Sequence, residues 1–456
     1  MTEQRWSTAL RRFGYGAMPS QEIAVSPKSW LIDQVDNYDP YPDTLRGLPG
    51  SIEIAEQFAE YRSIDREDFE ERRAARRALR GHVRDAVNAR ISLAIETSDH
   101  FSERLVHFWA NHFAISTEKR GAGPLAGSFE QEAIRPHIFG KFSTMLSAAE
   151  MHPAMLLYLD QAQSIGPNSR RGLRVAQRGR RQAGLNENLA REILELHTLG
   201  VRSGYTQADV TEFAKALTGH TVPASGRNRR YRQTQDGDIS YAFIEALHEP
   251  GPKTVLGKIY KANGAREAAQ ILSDLASNQA TAKNIATKLA RHFSSDEPSQ
   301  PLVNRLENDF LESGGDLLSL TLTLVNSPEV WSSEQNKFLT PWDWSISSAR
   351  AIQPTAFAPA QIRRMMRNLG QDLWRPGSPA GFEDKTSRWA APESLHRRVE
   401  AAQTLGRRGA RHDARLLGPK LFSGIWSEHS ALAVARAESP AQAMALLLAS
   451  PEAMWR

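Results

Sequence analysis

The sequence predicts an all-α fold, a large multi-helix unit with long irregular connections, and three observations predict it. Apolar residues recur with a period of about 3.6 along almost the whole chain. Runs of alternating Val, Ile and Thr, which build strands, are scarce. Pro and Gly clusters punctuate the periodic stretches. With 456 residues, 40% hydrophobic and 24% charged, the chain can bury one large core or form two helical lobes. It divides into an N-terminal helical part over 1–100, a central helical core with the polar motifs over 101–260, and a C-terminal helical part over 261–456.

The period places helices at 51–61, 65–97, 101–114, 128–135, 141–150, 187–199, 207–217, 265–276, 281–293, 301–313, 317–326, 341–351, 359–368 and 392–405. The 65–97 pattern interleaves acid and base as EDFEERRAARRALR, the mark of a solvated helix with i, i+4 pairs. Within 101–114, Arg104, His107 and Asn111 share one face, while His112 turns away beside Leu105 and Phe108. Within 187–199, Leu189, Ile193 and Leu196 continue a stripe from Leu185, and Asn188, Glu192 and Glu195 form a neighbouring polar face. His197 projects roughly 140–160° from those carboxylates, so only a second helix can complete a joint site. The 207–217 helix has Thr206 as N-cap, Asp209 in a capping-box position and Gly219 at its end.

Three segments read as irregular: the Arg- and Gly-rich 166–184, the basic 222–240 and the Pro- and Trp-rich 374–392. The one hairpin candidate turns at Gly237, between 231–234 and 239–244. No repeat of 20–50 residues is visible, which argues against a solenoid.

Composition narrows the chemistry. There is no cysteine, which excludes disulfides, thiolate nucleophiles and Cys-ligated metals. The net charge of +5 is modest for this length and does not argue for nucleic acid. No apolar run long enough for a signal peptide follows Arg11 and Arg12, and none reaches the roughly 18 residues of a membrane span. The expectation is a cytoplasmic chain, or one exported with a partner.

No GxxxxGK[ST], GxSxG, GxGxxG or HExxH pattern occurs. His107 and His112, at i, i+5, diverge, yet either one meeting Glu192 and Glu195 from another helix makes a His-carboxylate set of the kind that holds a divalent ion. His107, His112 and Glu192 are the expected metal ligands, and one divalent ion the expected cofactor. Glu192, Glu195, Asn188 and Asn111 are the expected catalytic groups. Arg170, Arg171, Arg178, Arg180 and Arg181, in a stretch without acidic residues, are expected to meet an anion, with His248 and Lys253 of the rigid HEPGPKTVLG loop. Other basic runs, at 72–80, 227–232 and 397–415, fit phosphate or an acidic partner.

The segments RRFGYGAMP, RLVHFWANHFAIS, EMHPAMLLYLDQAQSIGPNS, GLNENLAREILELHTLGVRSGYTQADVTEFAKALTGH, LHEPGPKTVLGK, RHFSSDEP and LWRPGSPAGF run in order from about 10 to 400. Together they resemble the bacterial family called domain of unknown function 1800. The resemblance implies one continuous helical unit over that span. It also implies a partner from the family of domain of unknown function 1501, whose members look like alkaline phosphatases and sulfatases and often carry export signals. His220 departs from the pattern, standing where that family usually has Trp. No catalytic residue transfers with the resemblance.

Two function classes follow. One is a metal- or carboxylate-dependent, hydrolase-like enzyme with Glu192 as ligand or base and the site between the helices around His107 and Glu192. The other is a binding or assembly partner of the phosphatase-like protein, in which the polar helix serves packing. Nucleic-acid binding through the Arg-rich stretch is a distant third.

Overall fold

The computed structural model describes residues 2–19, 26–119, 121–177, 184–225, 238–332, 334, 336–352 and 357–456. Helices dominate it. Those that matter for function are, in chain order, α1 (Phe69–Glu96), α2 (His100–His112), α3 (Phe142–Met151), α4 (Asn188–Glu192), α5 (Gln207–Leu217), α6 (Gln279–Phe293) and α7 (Pro341–Ile352). The strands among the described residues form two antiparallel pairs, β1 (His220–Thr221) with β2 (Ala242–Phe243), and β3 (Lys253–Val255) with β4 (Lys258–Tyr260). The all-α expectation stands.

Local chemistry explains the element ends. In α5 the Thr206 side chain accepts from the Asp209 backbone while the Asp209 carboxylate accepts from the Thr206 backbone, the reciprocal capping box the sequence predicts. Asp68 caps α1 and Asn278 caps α6 by the same side-chain-to-backbone bond.

Some expectations need correction. The stretch 166–184 is not wholly a loop. Ser169 caps a helix, Arg170–Gln177, by accepting from the Gly172 amide at 3.0 Å. The residues 178–183 and 226–237, and with them Arg178, Arg180, Arg181, the 227–232 run and the Gly237 turn, lie outside the described residues. Ala242–Phe243 pairs back to His220–Thr221. The HEPGPKTVLG loop leads into a hairpin instead of staying irregular: Leu256 (φ 51°) and Gly257 (φ 75°) both take positive φ, the twist-matched two-residue turn between β3 and β4. Over 187–199 the expected continuous helix is interrupted, and α4 gives way to a π-helical turn, Ile193–His197. That wider turn breaks the 3.6 phase, so Leu194 and His197 become fully buried and Leu196 only partly so.

One apolar core runs from Phe13 to Met454 and joins the three sequence regions. Phe13 stacks on Phe293 at 5.4 Å and packs on Phe101 at the same distance. Buried arginines fasten chain ends to helices: Arg350 of α7 donates to the carbonyls of Ala94, Ile95 and Thr97 at the end of α1, and Arg12 to those of Val330, Ser332 and Glu334. These guanidiniums satisfy carbonyls that helix ends leave unpaired. Arg398, from the 397–415 run, is buried over Phe338 at 4.4 Å and donates to Leu339 O. These three arginines are internal fastening and not surface charge. No helix among the described residues is long and apolar enough to cross a membrane.

Candidate functional site

A cavity of about 360 Å³ opens where α2, α6 and α7 meet the irregular segment that follows Gln371. Each wall has a sequence reason. From α2 come Arg104, His107 and Asn111, the shared face the period predicts, with Phe108 and His112 at its edges. From α6 come Lys288, Arg291 and His292, spaced i, i+3, i+4 so that one helical face presents all three. From α7 come Trp342 and Asp343, and from the Pro- and Trp-rich segment Trp374, Phe382, Glu383, Asp384 and Lys385. Asn111 holds that segment in place. Its Nδ2 donates to Phe382 O at 2.9 Å and its Oδ1 accepts from Phe382 N at 2.8 Å. Thr117 N donates to Trp374 O at 2.8 Å, so the segment is a built wall.

His292 is the best-oriented polar group. Its Nδ1 donates to Asp384 Oδ2 at 2.8 Å, while its Nε2 is buried and has no hydrogen-bond partner in the protein. Burial raises the Asp384 carboxyl, but His292 and Lys337 outweigh it and hold the group well below the usual carboxylate range. Lys337, buried, reaches Asp384 Oδ1 at 3.1 Å and Asp296 at 3.3 Å. A charged carboxylate therefore fixes the His292 tautomer and leaves Nε2 as an acceptor.

Lys288 lies one turn before His292. Its Nζ donates to Leu196 O at 2.8 Å and to His112 Nδ1 at 3.2 Å. His112 Nε2 donates to His197 O at 3.1 Å, which completes its neutral tautomer. Burial, helped by Lys288 and then His197, keeps His112 well below the usual imidazole range. Burial, with Arg291 adding to it, lowers Lys288 to about 8.

On the opposite wall His107 Nδ1 bonds the Tyr15 hydroxyl, and the ring meets Trp342 edge-on at 4.6 Å. Burial, then Arg90, Arg135 and Arg104, keep His107 neutral in the ordinary pH range. Arg104 donates to Gly14 O at 2.8 Å and pairs with Asp343 at 3.0 Å, and Arg90 pairs with Glu130 at 2.9 Å. Those charges are answered. Lys288, Arg291 and Lys385 have no ion-paired carboxylate among the described residues, so the cavity is left cationic between aromatic walls.

The residues expected from the sequence fall in three places. His107, His112 and Asn111 line this cavity; Asn188, Glu192 and Glu195 do not. Asn188 is exposed, and Glu195 reaches Arg191 at 3.9 Å and bonds Tyr205. Burial raises the Glu192 carboxyl, with His197 and Arg191 opposing. The second helix that meets His197 is α3, whose Glu150 Oε1 lies 2.7 Å from its Nδ1, both side chains being fully buried. The structure therefore does not assemble His107, His112 and Glu192 as a ligand set: both His112 nitrogens are engaged elsewhere. Among the described residues no three His, Asp or Glu side chains converge to hold a metal ion. Arg170 is exposed and Arg171 partly so, on the helix Arg170–Gln177, which does not line the cavity. His248 and Lys253 form an internal network. Lys253 Nζ donates to Glu249 O, Gly251 O and Glu267 Oε2, at 2.6, 2.8 and 2.6 Å, which leaves no donor for a ligand. His220 bonds Tyr241 at 2.8 Å beside β2.

Four of the sequence segments that carry the family resemblance, around Tyr15, Arg104–Ile115, Arg291–His292 and Leu373–Phe382, converge on this one cavity. The family described as protein of unknown function, DUF1800, matches residues 8–455. The chain belongs to it. The match extends past the motif span into the C-terminal helices, and the structure shows why they belong to the unit. Arg456 N donates to Lys337 O at 2.8 Å, Leu339 N to Met454 O at 2.8 Å, and the Arg456 guanidinium approaches Asp343 at 3.7 Å. No curated protein and no solved structure matches the chain.

What sequence reasoning missed is the α6 face and Asp384. KLARHF carries a signal, since Lys288, Arg291 and His292 share a face at i, i+3, i+4. Nothing in the sequence pairs His292 with Asp384, 92 positions away.

Proposed function

We propose that this protein is an acid–base enzyme acting on a small organic anion held in the cavity, with His292 as general base. The observation that carries the reading is the His292 ring, which lines the cavity, is fixed by Asp384 through Nδ1 and has a buried Nε2 with no partner in the protein. An oriented imidazole of this kind removes a proton from water or from a substrate carbon. Arg291 supplies the charge for a carboxylate or phosphate, and Trp342, Trp374 and Phe382 cover an apolar portion. Activation of water by His292 gives the hydrolase-like chemistry without calling on Glu192.

The test is a thermal-shift panel of carboxylates and phosphates beside neutral amides and alcohols of the same skeleton. Anions alone should raise the melting temperature of the wild type. Arg291→Ala should lose the shift, while His292→Asn should keep it and lose turnover of the bound compound by roughly 100-fold or more. Equal stabilisation by neutral analogues, or none by any member of the panel, sinks the reading.

Assembly with a phosphatase-like partner retains one favourable observation. The helix Arg170–Gln177 exposes Arg170 and Arg174 and contains no acid, which suits an acidic docking face. Co-purification that Arg170→Glu with Arg174→Glu abolishes is the result that reading requires.

A further inference from the structure

Lys288 is not half of an ion pair among the described residues, and its nitrogen is tied to neutral acceptors. Two backbone-anchored acceptors take two of its hydrogens: Leu196 O at 2.8 Å, and His112 Nδ1 at 3.2 Å, whose lone pair is fixed by the bond from Nε2 to His197 O. A tetrahedral nitrogen so tied has its lone pair, when neutral, left for the cavity that Lys288 lines. No carboxylate stands within ion-pair distance of Nζ among the described residues. Arg291 follows at i+3 and His292 at i+4, so a cation and an oriented base flank the nitrogen on one helical face.

We propose that Lys288 is a nucleophile that forms a reversible imine with an aldehyde or ketone carrying a carboxylate or phosphate. The proposal rests on the acid–base reading of the same cavity. The Nζ lone pair adds to the carbonyl carbon, and the C–O π pair becomes an alkoxide that takes the proton released from nitrogen. The carbinolamine then takes a second proton on oxygen from solvent and expels it as water, while the nitrogen lone pair forms the C=N bond of a cationic iminium. No oxidant or reductant is consumed. Arg291 holds the anionic group. His292 Nε2 removes a proton from the carbon next to the iminium, and the C–H pair moves toward nitrogen to give an enamine. Burial that keeps the amine near 8 supplies a neutral fraction of about a tenth at pH 7.

The test treats the full-length protein with cyanoborohydride and, separately, glyoxylate, glycolaldehyde phosphate or propanal, then locates the reduced adduct by peptide mass spectrometry. Exposed Lys283 on the same helix is the internal control. The expected result is at least ten-fold faster labelling of Lys288 than of Lys283 with one or both anionic aldehydes, and no such preference with propanal. The two anionic arms separate carboxylate from phosphate ligands. Lys288→Arg should remove the adduct, and the comparison within the wild-type chain needs no variant to fold. Labelling of Lys288 no faster than Lys283 by either anion, or equal preference with propanal, overturns the proposal. Stabilisation by anions without labelling overturns the imine alone, whereas neither stabilisation nor labelling overturns the acid–base reading as well.

Discussion

At the residue scale, what His292 can do depends on its carboxylate partner. Replacing Asp384 by Asn removes the charge that fixes Nδ1–H and leaves Lys337 with Asp296 as its remaining acid. Nitrogen NMR should show His292 as a single Nδ1–H tautomer in the wild type and a mixture in Asp384→Asn, with turnover down by about 100- to 10,000-fold. An unchanged spectrum would remove Asp384 from the mechanism. Lys253 makes the opposite case. Its three bonds are all internal, so Lys253→Met should cost about 3 kcal/mol in urea unfolding, because Glu267 stays buried without its cation, and should leave anion binding unchanged. Loss of binding at full stability would restore the ligand role the sequence suggests.

At the element scale, the segment around Phe382 owes its position to Asn111, which sits in the cavity wall as a clamp. Asn111→Ala leaves the Phe382 amide and carbonyl without those partners. Amide exchange over 374–385 should accelerate and anion affinity should fall about ten-fold, or about 1.4 kcal/mol. The same approach explains Gly381, where a Cβ would sit 2.3 Å from Asn111 O. The β3–β4 hairpin carries a small strain that can be relieved. Leu256 holds φ 51°, a region costly for a side chain with a Cβ, and Leu256→Asn should stabilise the chain by about 0.5 kcal/mol, seen as slower exchange of the hairpin amides. The expected polar face of 187–199 shows the reach of periodicity at this scale. Asn188 and Glu192 keep the helical spacing on α4, but the π turn from Ile193 takes Glu195 out of that phase and sets His197 against Glu150 of α3.

At the scale of the whole molecule, buried neutral histidines set an acid limit. Burial, then Arg350, holds His100 well below the usual imidazole range; burial, then Arg90, does so for His107, and burial, then Lys288, for His112. Burial and His248 lower His220 to about 4. Below about pH 6.5 the unfolded chain binds protons at these positions that the folded chain does not. Stability is therefore lost as pH decreases below that value, by up to about 1.4 kcal/mol per unit for each imidazole, and for His220 the loss ends near its folded value. Asp384 adds to the loss further down, because its depressed carboxyl stabilises the fold above the unfolded value and surrenders that as pH drops through the folded one. Urea midpoints measured from pH 7.5 to 4.5 should be flat above 6.5 and drop steeply below. A flat profile throughout would mean that these histidines are solvated.

The sequence by itself determined what depends on neighbours within a turn or two. The all-α class, the ends of the Thr206-capped helix, the face shared by Arg104, His107 and Asn111, and the irregular course of 374–385 are all legible because hydrogen bonds at i, i+4 and side-chain period are local, whereas the short helix Thr386–Trp389 inside the expected irregular 374–392 is not. It did not reveal the helix after Ser169, because Arg- and Gly-rich composition masked a good cap, nor the Leu256–Gly257 turn, because Leu rarely takes positive φ. Only the tertiary structure decided which polar groups meet. His292 and Asp384, and Lys288 and His112, lie 92 and 176 positions apart and come together because apolar faces of α2, α6 and α7 close on one core. Burial in that core is non-directional in sequence, so the pairs it creates follow from packing and leave no period to read.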